Sequence, residues 1–242
     1  MRHASAVLAI WTATTVALLS PVCARADQRA WPDTFVARLE ALALLQTLNA
    51  DLLSHDSATQ TLGRWCADHR LAPAPKIVAQ HVRSAAPAMP ASEELRRDLH
   101  VGPEEKLQFR HVRLLCGSVV LSEASNWYVP GRLSAAMNTQ LETSDVPFGV
   151  VVRDLHFQRH TLAAKMLWQP LAPGWEMDGA PAVRDTADHH AGAAAGELAV
   201  PEKVLEHRAL LTLPDGTPIS EVVETYRGNV LAFPPPDSVG GH

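Results

Sequence analysis

The segment FRHVRLLCGSVVLSEASNWYVPGRLSAAMNTQLETSDVPFG, residues 109–149, carries the clearest structural pattern in the chain. Arg110, Val112, Leu114 and Cys116 alternate with His111, Arg113 and Leu115, and Val119 to Val129 alternates again. Period-two alternation on both sides of Gly117-Ser118 predicts a β-hairpin. Pro130-Gly131 ends the second strand, because proline has no N–H to give to a ladder. Leu133, Met137 and Leu141, four apart, predict a short helix with one apolar face, and Asp145 to Gly149 reads as a loop. Two arginines, a glutamate and an asparagine interrupt otherwise apolar strands. Such a mixture suits a small anionic ligand.

Outward from this block, positions 35, 39, 42, 45, 48 or 49, and 52 of the apolar-rich Phe35 to Leu53 have the period of an amphipathic helix. Ser57 followed by Gln60 forms a capping box for a second helix over Thr59 to His69, which the proline-containing Leu71 to Pro75 must end. Lys76 to Arg83 predicts a strand and Ser84 to Ser92 a loop. Beyond Gly149, Val150 to Gln158 reads as a strand or a strand–helix junction, and Thr161 to Trp168 as either type. The glycine- and alanine-rich piece 172–201 cannot bury a core and is expected to be a flexible insertion, with His189-His190 as solvated residues rather than metal ligands. Val204 to Leu213 and Ile219 to Phe233 flank Pro214-Asp215-Gly216-Thr217, a second hairpin. Residues 234–242 read as a disordered tail. The class that follows is α+β: an antiparallel sheet with helices packed on one side.

Of the 242 residues, the first 26 are expected to lie outside the fold. Arg2 and His3, the uncharged run Ala4 to Leu19, Pro21 and Ala24-Arg25-Ala26 compose a Sec-type signal peptide with cleavage after Ala26, so the mature domain is 27–233 and periplasmic or secreted. The run is shorter than the roughly 20 residues of a membrane span. Loss of Arg2 and Arg25 takes the 21 basic side chains to 19 against 26 acidic ones, net −7. An acidic chain with no basic run argues against nucleic-acid binding. Cys66 and Cys116 remain, either as a disulfide or as two buried thiols. No Cys or His spacing suggests a metal site.

Four motifs, in order, resemble the chorismate pyruvate-lyase family and the related UTRA-type ligand-binding domain of bacterial transcription regulators. They are Leu52-Leu53-Ser54-His55-Asp56-Ser57-Ala58-Thr59, Arg110-x-Val112-x-Leu114 with Tyr128-Val129-Pro130, Val146-Pro147-Phe148-Gly149, and Asp215-Gly216-x-Pro218 with Glu224-Thr225-Tyr226. The resemblance implies a pocket for a small anionic or aromatic carboxylate and, in its enzymatic form, removal of pyruvate from chorismate to leave 4-hydroxybenzoate. That chemistry needs no metal or organic cofactor.

Carried over by motif, Arg110 anchors a carboxylate through its planar fork, and Glu224 supplies the proton at the departing ether oxygen. Ala58 and Phe148 contact ligand through the main chain. An ungapped match to Pro130 instead puts His111 at the arginine position, with Arg113 on the same strand face; Glu221 is the alternative to Glu224. Glu123 is either a second site carboxylate or an arginine partner, and Trp127 and Tyr128 belong to the core. Asn126 departs from the family, which carries an arginine there, so an amide replaces a charge. An exported lyase also lacks an obvious supply of chorismate. The readings that remain are a lyase and a non-catalytic periplasmic binding or sensory module; a monomer is expected for either.

Overall fold

The computed structural model describes residues 30–82, 91–177 and 196–236. The expected leader, most of the 84–92 loop and of the 172–201 insertion, and tail residues 237–242 lie outside the described residues.

Helices α1 (Phe35–Leu53) and α2 (Ala58–Asp68) come first, followed by strand β1 (Ile77–His81) and helix α3 (Glu93–Asp98). The hairpin β2 (Gln108–Cys116) and β3 (Val119–Tyr128) leads to α4 (Ala135–Thr143) and α5 (Phe148–Val151). Then come β4 (Gln158–Met166) and a second hairpin, β5 (Lys203–Thr212) and β6 (Pro218–Arg227). Four helices start on a hydroxyl cap. Thr34 accepts from Ala37 N, Ser57 from Gln60 N, Ser92 from Leu95 N and Ser134 from Met137 N, each relieving one unpaired N–H of a first turn. The two segments left open by sequence resolve differently. Val150 to Leu155 becomes α5 and a 3₁₀ turn, whereas Thr161 lies within β4.

The six strands form one antiparallel sheet in the order β1-β2-β3-β6-β5-β4. Gly117 and Gly216 turn the two hairpins at φ +58 and +85, where a side chain would be strained. The hairpins join through β3 and β6, in register from Ser122 opposite Tyr226 to Tyr128 opposite Ser220.

Helices α1, α2, α4 and α5 cover one face, called inner here. The stripe of α1 that faces the sheet is Ala37, Ala41, Leu45, Leu48 and Leu52, so Ala37 and Ala41 replace Phe35, Leu39 and Leu42 of the expected stripe at its first turns. The core divides into two clusters. One packs α1 and α2 on Val112, Leu114, Leu121 and Tyr226; the other packs α4 and α5 on Tyr128, Leu211 and Ile219. The outer face is largely polar. There α3 rests on Trp127 and Leu210 and is clamped by Arg208, which donates to Glu221, Glu94 and Asp98 at 2.6, 2.9 and 2.9 Å.

Cys66 and Cys116 form a disulfide, their Cα atoms 6.1 Å apart, tying α2 to the end of β2. It closes a 50-residue separation, and disulfides typically contribute about 2–4 kcal/mol. The double substitution Cys66→Ala/Cys116→Ala is expected to lower the unfolding free energy by that amount in denaturant titrations; an unchanged midpoint would show that the bridge adds nothing.

Under α1, the fully buried His207 places Nε2 2.8 Å from Asn49 Oδ1, and its Nδ1 has no partner. Burial pushes its pKa down from 6.5 to about 4. Between those values the unfolded chain binds a proton that the folded chain refuses. Stability should therefore fall as pH drops from 6.5 towards 4, by at most about 1.4 kcal/mol per pH unit from this group. In a pH series of urea midpoints, His207→Gln should flatten that slope.

Candidate functional site

Where the two core clusters meet, the inner face opens into a cleft. Strand alternation fixes its floor. Arg110 pairs with Asn126, Asn126 with Val222, Ala124 with Glu224, and Arg159 with Leu211, so all four polar residues project to the same side. Its rim comes from Asp56, Ser57, Ala58 and Thr59 at the start of α2 and from Pro147, Phe148 and Gly149 at the start of α5. The cleft thus gathers Arg110, Asn126, Glu224, Ala58 and Phe148, five of the six site residues expected from sequence.

Arg113 is the one left out. It lies on the outer face, donating to Glu123 Oε1 at 2.9 Å, and Arg227 donates to the same oxygen at 2.6 Å. His111 is there too, with Nδ1 2.9 Å from Ser125 Oγ. Among the arginine-register alternatives, the inward residue is Arg110. Glu123 is therefore an arginine partner on the outer face, and Glu221, held by Arg208 under α3, also points away from the cleft. A larger groove of about 810 Å³ passes Trp31, Arg113, Arg227 and Phe233; apart from Arg113, it contains none of these candidates.

Arg110 is buried, but much of its fork is engaged. Nε donates to the Leu141 carbonyl at 3.1 Å and Nη2 to the Val146 carbonyl at 2.9 Å, with His81 Nε2 2.9 Å from Nη2. These carbonyls belong to the end of α4 and the turn after it, where a cation complements the helix dipole. Burial without a carboxylate partner among the described residues pulls its pKa down to about 10, so it stays charged near neutrality. Nη1 makes no hydrogen bond among the described residues.

The arginine at the centre of the cleft is Arg159, which the sequence reading passed over. Its Nη2 lies 2.6 Å from Glu224 Oε2, and the two side chains are 4% and 8% exposed. Burial acts to lower its pKa, but the adjacent Glu224 carboxylate more than offsets that and raises it. Its Nε is buried and unpaired. The backbone N–H of Arg159 donates to Asp56 Oδ1 at 2.9 Å, fixing β4 against the start of α2. Tyr226 donates to the same Glu224 oxygen at 3.1 Å; burial, then the neighbouring carboxylate, pushes its pKa well above 10.0. Oε2 of Glu224 therefore accepts twice, which leaves Oε1 as the oxygen that could face a ligand. Asn126 accepts a hydrogen bond from Ser220 Oγ, keeping its amide N–H₂ as donor. At the rim, the backbone N–H groups of Ala58 and Thr59 make no hydrogen bond among the described residues.

The cleft therefore presents two buried cations, one buried carboxylate, a side-chain amide and two helix N-terminal N–H groups. Such a set can hold an anion in several ways. The enclosed volume is about 50 Å³, well below the roughly 300–1,000 Å³ of ligand sites. Among the described residues, no group of three or more His, Cys, Asp or Glu is placed to hold a metal ion, and no helix is long and apolar enough to cross a membrane.

No family model matches this chain. Among solved structures, it is similar to PhnF from Mycobacterium smegmatis, at 13% identity over 78% of this chain and 71% of that one, with a TM-score of 0.43. The effector domain of the same protein gives 12%, 72%, 90% and 0.41 in the same order. A GntR-family transcriptional regulator from Enterococcus faecalis gives 14%, 62%, 93% and 0.37. In sequence, the uncharacterized protein y4mC of Sinorhizobium fredii is 53% identical over 211 residues, 87% of this chain and 84% of that protein. At that identity and coverage, this chain belongs to the y4mC family.

Proposed function

We propose that this protein binds a small monocarboxylate on an aromatic or cyclic frame, and that it does so after export. Arg159 carries the reading: a nearly fully buried guanidinium in the cleft whose Nε has no acceptor. A buried unpaired donor costs about 1–3 kcal/mol, and a bound carboxylate would satisfy it. Ala58 N–H, Thr59 N–H and the Asn126 amide supply further donors around the same space. The Asp56 carboxylate also lines the cleft, so together with Glu224 it offsets Arg110 and Arg159. A ligand with one carboxylate therefore adds less uncompensated negative charge than chorismate, which brings two. Export is supported by the leader pattern of residues 1–26 and by the Cys66–Cys116 bridge, since structural disulfides persist in oxidising compartments.

The lyase reading keeps one observation in its favour, Glu224 lying in the same cleft as two arginines. Three observations favour binding. Arg110 is engaged in capping α4, Oε2 of Glu224 already accepts twice, and Asn126 stands where the resemblance calls for an arginine.

Calorimetric titration with 4-hydroxybenzoate should give saturable binding, weakened in Arg159→Met by about 10- to 100-fold, the worth of one charge-assisted contact. Incubation with chorismate should release no 4-hydroxybenzoate. Steady release that is abolished in Glu224→Gln would replace the binding reading with the lyase.

A further inference from the structure

We propose that Glu224 is an internal stand-in for the ligand's carboxylate: without ligand it occupies Arg159, and a ligand binds by displacing it. This rests on the carboxylate-binding reading of the cleft given above.

Three observations carry it. The first is the form of the ion pair. Arg159 and Glu224 meet through a single contact, Nη2 to Oε2, while Nε stays unpaired in the interior. A guanidinium and a carboxylate are strongest as a two-bond fork, so Arg159 is held by a partner that does not saturate it. A ligand free to orient in the cleft can make both bonds.

The second is space. The cleft encloses about 50 Å³, so an aromatic acid enters only if a lining group moves. Main-chain movement of β6 is opposed, because β3 and β5 pair with it on both sides, opposite Glu224 at Ala124 and His207. The movement is left to the side chain. Glu224 can swing about its own torsions, whereas Arg110 is tied to two carbonyls.

The third is charge. A ligand carboxylate placed on Arg159 would lie beside Glu224, and two carboxylates crowded on one buried cation repel each other. Ligand and Glu224 are therefore alternatives at Arg159. Tyr226, donating to the same Oε2 at 3.1 Å, holds Glu224 in the blocking position and sets how readily it yields.

The test is titration of 4-hydroxybenzoate into the full chain as wild type, Glu224→Gln, Tyr226→Phe and Arg159→Met, each checked for folding by circular dichroism and melting temperature. Glu224→Gln removes the competing charge and should bind at least about tenfold more tightly than wild type. Tyr226→Phe withdraws one donor from Glu224 and should shift affinity the same way by a smaller factor. It also keeps the test open if Glu224→Gln does not fold. Binding by Glu224→Gln alone, with none by wild type, overturns displacement by ligand, since Glu224 then closes Arg159 to it. Arg159-dependent binding by wild type that is no tighter in folded Glu224→Gln, or is weaker there, overturns the stand-in role and leaves the binding reading intact. Equal affinity of wild type and Arg159→Met, or no binding by either wild type or Glu224→Gln, removes the binding reading and this proposal with it.

Discussion

The pairing of β3 with β6 is the constraint on which the rest of this protein depends. These strands come from two separate hairpins, and seven cross-strand pairs lock them side by side at the middle of the sheet. The pairing makes one six-stranded sheet from two three-stranded halves. It also decides the chemistry of both faces. A one-residue slip of β6 would send Glu224 to the outer face and bring Glu221 and Arg227 into the interior. The hydrophobic cluster under α1 and α2 opposes that slip, because Val222 and Tyr226 would leave the core with it.

The two faces use the same residue types under different dielectric conditions. On the outer face, Arg113, Glu123, His111 and Arg227 share partners in a partly solvated network, where each ion pair contributes little. Inside, Arg159 and Glu224 are nearly fully enclosed. Losing one member there would leave an uncompensated charge, which costs several kcal/mol in other proteins. Arg110 represents a third situation: a buried cation held by carbonyl oxygens alone, apart from a histidine. Helix α4 gains an end cap from it, and the cleft gains a charge that no carboxylate among the described residues contacts by a hydrogen bond.

Much of this was legible in the sequence. Alternation gave both hairpins, apolar periodicity gave α1 and a capping box gave α2, whereas Arg110, Asn126 and Glu224 came from the motif resemblance, with the arginine register left open. Arg159 was not legible, for a physical reason. It stands at the beginning of an edge strand, β4, whose residues are mostly exposed, so no apolar alternation marks which of its side chains points inward. Helix α3 was missed because six residues with a single buried leucine give no periodicity. Its signs were Ser92, the paired Glu93-Glu94 and the paired Arg96-Arg97, a cap and a charge order rather than a hydrophobic face. The pairing of Cys66 with Cys116 depends on α2 crossing the end of β2, and no local pattern encodes that crossing.

The disulfide has a mechanical consequence. Cys66 lies near the C-terminal end of α2, and the adjacent Trp65 donates to the Val230 carbonyl at 2.8 Å, so that end of the helix is fastened both to β2 and to the turn that follows β6. The opposite end, with Ala58 and Thr59, borders the cleft, and the loop before it reaches β4 through the hydrogen bond from Arg159 to Asp56. Helix α2 is thus fastened at both ends, covalently at Cys66 and by the Asp56 hydrogen bond before its first turn. The bridge therefore holds the Ala58 and Thr59 amide groups, a full helix length away, at a set distance from the floor of the cleft.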